Sequence, residues 1–260
     1  MRKLVLALAL TLLAGCATGP SIDRSYSSGA QRDRVRFLVI HFTHANFEQT
    51  MRIVAGEAVS YHYIVRADPP TIFQVVDESR SAFHAGVSYW RGVTQLNDAS
   101  IGVSLVNGGP GDNEAENDPQ KWAEYPEAQL RVFMELIQDI AKRHGIRPEF
   151  IVGHADVAPQ RKVDPGPKFP WKRLADAGLV TWYDAAKVAE RLPAYQAALP
   201  DVEWFQTLLR RHGYEVPIHG DLDKATRNVV RVFQMRYRPA KFDGVPDAET
   251  AAILDALVNP

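Results

Sequence analysis

The stretch VRFLVIHFT, residues 35–43, decides the fold. Its apolar residues run almost unbroken, the pattern of a strand in a sheet covered on both faces. Such a sheet needs helices packed over it, so the stretch predicts a domain that mixes strands and helices. It reaches His41 near its end, and in α/β sheets functional groups gather at the carboxyl ends of strands.

Moving outward, NFEQTMRIVAG (residues 46–56) has helical spacing and stops at Gly56. SYHYIV and IFQVV predict two further strands. In IGVSLV, residues 101–106, Ile101, Val103 and Leu105 alternate with Gly102, Ser104 and Val106. This period-2 strand puts Ser104 on the face opposite the aliphatics. PEAQLRVFMELIQDIAKRHG is the clearest helix, with Leu130, Phe133, Met134, Ile137 and Ile140 on one stripe and Gly145 as its stop. EFIVGHAD, residues 149–156, predicts a second buried strand that reaches a histidine, His154. Strands interleaved with helices indicate an α/β or α+β domain.

After Asp201 only helical signals remain, which predicts a small all-α domain of three helices. GDLDKAT and DGVPDAET form a weak repeat within it. Each places an Asp at an N-cap (Asp223, Asp247) and a Thr three residues on (Thr226, Thr250). The predicted organisation is a signal at 1–15, a tether at 16–34, a mixed domain at 35–182, a linker or connecting helix at 183–200 and the helical domain at 201–260.

A net charge of -1 and the lack of any basic run give no case for nucleic acid, so no nucleic-acid partner is expected. The one cysteine, Cys16, has no internal disulfide partner. Arg2 and Lys3 precede an apolar run at residues 4–13. That run falls short of the ~20 residues a spanning helix needs, so it reads as a secretory signal. Its end, LAGC, resembles the lipobox of bacterial lipoproteins, which implies lipidation of Cys16 and a membrane anchor. With Ala17 in place of Asp after the cysteine, the analogy implies the periplasmic face of the outer membrane.

His41, His154 and Asp164 are the residues with metal chemistry. Asp164 precedes Pro165, which favours an extended conformation, so that Lys162 and Asp164 point the same way. Two imidazoles and a carboxylate suit Zn²⁺ and leave a fourth position for a water, whose pKa such an ion lowers to about 7. Spacing alone leaves a second reading open, in which two hydrogen-bonded histidines accompany an Asp that caps a turn.

The stretches VIHFT, SYHYIV, FHAGVSYWRG, LNDASIG and VGHADVAPQRKVDPGPKFPW fall in order over about residues 35–182. Together they resemble the zinc-dependent N-acetylmuramoyl-L-alanine amidases of the type-2 family, relatives of peptidoglycan recognition proteins. The resemblance implies an α/β fold with a mixed central sheet flanked by helices. It also implies hydrolysis of the amide between N-acetylmuramic acid, or its anhydro form, and L-alanine. His41, His154 and Asp164 match the zinc ligands, and Lys162 matches the lysine that stabilises the oxyanion. The C-terminal stretch LLRRHGYEVPIHGDLDKATRNVVRVFQ with FDGVPDAETAAIL resembles the three-helix peptidoglycan-binding module of wall hydrolases.

One position departs from the family. Ser104 stands where the family carries the Glu that acts as general base, and a serine hydroxyl is too weak an acid and base for that task near neutral pH. The expectation is an amidase of impaired activity, with a non-catalytic, zinc-containing peptidoglycan-binding protein as the alternative. Glu57, Glu78 and Glu114 are the other carboxylates considered for the cleft. His84, Trp90 and Asn97 are expected to line the substrate cleft, with a core role the equal alternative for Trp90. His62 reads as structural, and His44, His144, His212 and His219 as loop or helix-end residues.

Overall fold

The computed structural model describes residues 20–111 and 118–260, so the signal segment, Cys16 and Glu114 lie outside the described residues. The chain divides into two units, 1–32 and 33–260. In the first, residues 20–32 hold local turns, with Asp23 accepting from the Ser25 amide and Ser28 Oγ from the Ala30 amide.

The second unit carries strands β1 (Phe37–His44), β2 (Tyr63–Arg66), β3 (Thr71–Gln74), β4 (Tyr89–Trp90), β5 (Val93–Thr94), β6 (Ser100–Asn107) and β7 (Ile151–Gly153). Its helices are α1 (Phe47–Val54), α2 (Glu127–His144), α3 (His154–Val157) and α4 (Trp171–Asp176). They are followed by α5 (Ala185–Ala197), α6 (Val202–His212), α7 (Lys224–Tyr237) and α8 (Ala248–Val258). Five strands form one sheet in the order β3-β2-β6-β1-β7, and β4 pairs with β5 as a short hairpin. β1 runs parallel to β6 and β7, and β2 runs parallel to β6 but antiparallel to β3. The sheet is therefore mixed, with helices around it.

Register sorts the side chains into two faces. Leu38 pairs with Ile101 and Ile40 with Val103, and these residues pack with Phe133, Ile137 and Ile140 of α2 and with Trp171 and Leu174 of α4. A fully buried side chain the size of Phe133 contributes about 1.5–3 kcal/mol through burial alone. The opposite face carries Phe37, Val39 and Val152, which share a core with Phe205, Tyr214, Val230 and Phe233. The C-terminal helices thus complete the core on that face. Trp90 and Arg91 belong to the contact: the Trp90 ring meets Tyr214 edge-on at 5.0 Å, and the Arg91 amide donates to Gly213 O.

Between α6 and the mixed domain, the stretch read as a linker or connecting helix is helix α5, capped by Asp184, whose carboxylate accepts from the Ala186 amide. It packs along α8, where Tyr195 Oη donates to Asp255 and Arg191 pairs with the same carboxylate. The weak repeat has a structural counterpart. Asp223 and Asp247 accept from the amides of Thr226 and Thr250, as the capping pattern predicted. Buried Gln206 and Gln234 each donate to one of those threonine hydroxyls, tying α6 to the first turn of α7 and α7 to the first turn of α8.

Candidate active site

His41 pairs in register with Ser104 across β1 and β6, so the two side chains leave the same face of the sheet. This is the face whose earlier positions, Phe37 and Val39, are covered by the shared core. His154 does not lie in β7 but opens α3. The strand turns there because the Asp156 carboxylate accepts from the Gly153 amide at 2.8 Å. Asp164 returns to the same spot, fastened by the Ala155 amide donating to its carbonyl at 2.7 Å. Gly153 permits the approach, since a Cβ there would stand 2.6 Å from Pro165 Cδ.

These elements bring three buried side chains together. His41 Nδ1, His154 Nδ1 and Asp164 Oδ2 are mutually 3.1 Å apart. Bonds of ~2.0–2.1 Å at tetrahedral angles would place zinc ligand atoms about 3.3 Å apart, so the triangle and its donor set fit that ion. Burial, and then the neighbouring His154, push His41 down to about 4, which keeps it in the neutral form a metal needs.

At its Asp164 corner the triangle borders a cleft of ≈ 400 Å³ lined by Phe42, Ile53, Val59 and Tyr61, with Lys162 also on its wall. Ser104 is fully buried and its Oγ finds no partner of good hydrogen-bond geometry. The Tyr61 hydroxyl lies close enough to interact with it, and burial pushes that hydroxyl above its ordinary value. No other carboxylate takes the missing position among the described residues that line the cleft: Glu57 is exposed on the loop after α1, and Glu78 is engaged by Arg143, His144 and Tyr63.

The three residues expected to contact substrate have other surroundings. Trp90 is 2% exposed, packed on Tyr214 and His212, with Nε1 donating to Glu149 O, so the core reading prevails. Asn97 Oδ1 accepts from the amides of His84 and Ala85, which occupies it in holding a loop. His84 is buried against His41 rather than open to the cleft. His62 is structural: its Nδ1 accepts from the Gly102 amide, which leaves Nε2 to donate to Arg80 O. His44 lines the cleft rim, His144 joins Glu78, His212 is buried beside Tyr237, and His219 sits near Asp223. Tyr61, and Arg161, which also lines the cleft, were not singled out by sequence, where an ordinary tyrosine and a surface arginine look the same as these.

Comparison with known proteins agrees with this geometry. Residues 31–167 match the family profile described as N-acetylmuramoyl-L-alanine amidase, and residues 199–254 match a peptidoglycan binding domain. The chain is 40% identical to N-acetylmuramoyl-L-alanine amidase AmiD of Escherichia coli, over 98% of this chain and 96% of that protein. The crystal structure of AmiD from E. coli with anhydro-N-acetylmuramic acid-L-Ala-D-gamma-Glu-L-Lys superposes with a TM-score of 0.82 at 38% identity, covering 93% of this chain and 95% of the other. AmpDh3 of Pseudomonas aeruginosa in complex with anhydromuramic pentapeptide gives 0.84 at 36% identity, covering 92% and 98%.

Proposed function

The chain belongs to the N-acetylmuramoyl-L-alanine amidase family, and from that premise we propose that it is a zinc enzyme acting on anhydro-muropeptides. The bond cleaved is the amide between the lactyl group of the anhydro-muramic acid and L-alanine. The carrying observation is the triangle of His41 Nδ1, His154 Nδ1 and Asp164 Oδ2 at 3.1 Å spacing beside Lys162. The anhydro form is favoured by the ligands of the two similar structures.

In this reading His41, His154 and Asp164 would hold Zn²⁺, which when bound would supply a Lewis acid for the scissile amide and lower the pKa of a water. Lys162 brings a compact positive charge with three donors to the oxygen on which negative charge develops. The apolar walls around Phe42 and Ile53 keep bulk water from the peptide. Ser104 orients a water through its hydroxyl but does not hold the proton for transfer to the leaving amine. Tyr61, whose hydroxyl is pushed up by burial, does not replace the carboxylate. A positioned base is worth about 10²–10⁴-fold, so turnover is slow. Anchoring through Cys16 on the periplasmic face of the outer membrane and wall binding by residues 199–254 would raise the local concentration of substrate.

The alternative is a zinc-containing protein that binds muropeptide without turnover, and the lack of any carboxylate other than Asp164 among the described residues that line the cleft is what favours it. Stem-peptide release from purified anhydro-muropeptide by the full chain separates the two. Slow release that needs zinc, sped 10²–10⁴-fold by Ser104→Glu, supports the impaired amidase. Binding with no release over long incubation supports the alternative. Zinc-dependent release that Ser104→Glu leaves unchanged removes Ser104 from the base position.

A further inference from the structure

The hydrogen bonds behind the two histidines form a connected chain that decides which ring nitrogens are protonated. Ser100 Oγ lies 2.5 Å from the Leu96 carbonyl, which only accepts, so the single hydroxyl proton is spent there. Toward His84 Nε2, at 3.1 Å, Ser100 can therefore only accept, and that nitrogen carries the ring's proton. His84 is buried and none of its described hydrogen bonds is to a carboxylate, so it is a neutral ring with one proton. Its Nδ1 is thus an acceptor, and His41 Nε2, 3.0 Å away, must donate to it. The His41 proton being there, His41 Nδ1 is left with a lone pair facing His154 and Asp164.

The second histidine is treated likewise. His154 Nε2 donates to the Ala85 carbonyl at 3.2 Å, which leaves its Nδ1 bare. One residue seats both partners: Asn97 Oδ1 accepts from the amides of His84 at 3.1 Å and Ala85 at 2.7 Å. Gly102 makes the space, because a Cβ on it would stand 2.5 Å from the His84 ring.

We infer that His84, backed by Ser100 and seated by Asn97, is a positioning residue that locks His41 as an Nδ1 ligand of the metal. The inference rests on the zinc reading above. An acceptor behind a ligand histidine fixes its tautomer and orientation and strengthens it as a base, and losing such a partner typically costs 10–100-fold in metal affinity.

The test compares two substitutions in the full chain. His84→Asn keeps an acceptor oxygen the same number of bonds from the backbone as Nδ1, whereas His84→Leu keeps bulk without an acceptor. Zinc Kd is measured by chelator competition, with the visible absorption of the Co²⁺-loaded protein reporting coordination. Leu is expected to weaken zinc by 10–100-fold and alter the Co²⁺ spectrum, while Asn stays within a few-fold of the unsubstituted chain. Equal affinities for Leu and Asn, whether both kept or both lost, overturn the inference, since packing alone would then explain the ring. Should His84→Leu not fold, Ser100→Ala decides: it removes the acceptor for Nε2–H, and unchanged zinc affinity there also overturns it. Failure of the unsubstituted chain to bind zinc would instead overturn the metal reading itself.

Discussion

Two buried polar clusters meet at α3, and they are built on opposite terms. Asp156 sits in a closed one. Its carboxylate accepts from the Gly153 amide, from Tyr214 Oη at 2.7 Å and from Arg236 Nη1 at 2.5 Å. Arg236 also donates to Ile151 O and lies over the Trp171 ring at 4.0 Å, with only its Nε lacking a partner. Charge meets charge, and both carboxylate oxygens are engaged by donors. His154, two residues earlier, belongs to an open cluster in which three acceptor atoms converge at 3.1 Å. Burial and shifted ionisation are common to both, so neither property by itself marks function. Convergence of like acceptors does, because only a cation satisfies it.

The comparison can be broken at either end. The largest effect is expected from Arg236→Met, which leaves the Asp156 carboxylate buried without its cation. Stability in urea should fall by about 3–5 kcal/mol, and a loss under ~1 kcal/mol would show that the closed cluster does not hold the C-terminal helices to the sheet. At the open cluster, zinc added to metal-free protein at about a thousand times its Kd should raise stability by ~4 kcal/mol. Asp164→Ala should abolish that increment and the peptide release together, as thermal melts with and without zinc would reveal. A zinc-dependent rise that survives Asp164→Ala would place the ion elsewhere.

The smallest effect belongs to a cluster at the surface. Arg143 first, with His144 and Tyr63, holds Glu78 at about 2 against the opposing effect of burial. A carboxyl lowered in the folded state stabilises it fully above its unfolded value near 4.5, and this contribution fades as pH falls toward about 2. Arg143 is 41% exposed in its side chain, so solvent screens the pair. Glu78→Gln should cost under about 1 kcal/mol at pH 7. Urea titrations at pH 7 and at pH 3 should show the gap narrowing, and a gap that widens in acid would contradict the assignment.

Much of this was legible along the chain. The unbroken apolar run before His41 is a buried strand because both sides of β1 are covered, and the α2 stripe packs as its spacing required. Metal ligands were legible as residue types near strand ends and through the family resemblance. Trp90 was not: an aromatic beside FHAGVS reads alike whether it meets substrate or, as it does, Tyr214. Of the two readings open for residues 183–200, the connecting helix is the one seen, though α5 has no fully buried residue and owes its place to contacts along α8. Gln206 and Gln234 escaped notice because a polar residue on a helix is ordinarily a solvated one.

The sequence by itself determined where strands and helices form and which side chains have the chemistry of a metal site, because periodicity, capping and residue type are local properties. It also determined that Ser104 supplies no carboxylate. Tertiary structure alone decided which nitrogen of His41 is bare, since the answer passes through His84 and Ser100 on other segments of the chain. Likewise it alone decided that the C-terminal helices are part of the core behind the site. Tyr214 and Arg236 reach Asp156 across 58 and 80 residues, a separation over which no pattern in the chain records who the partner is.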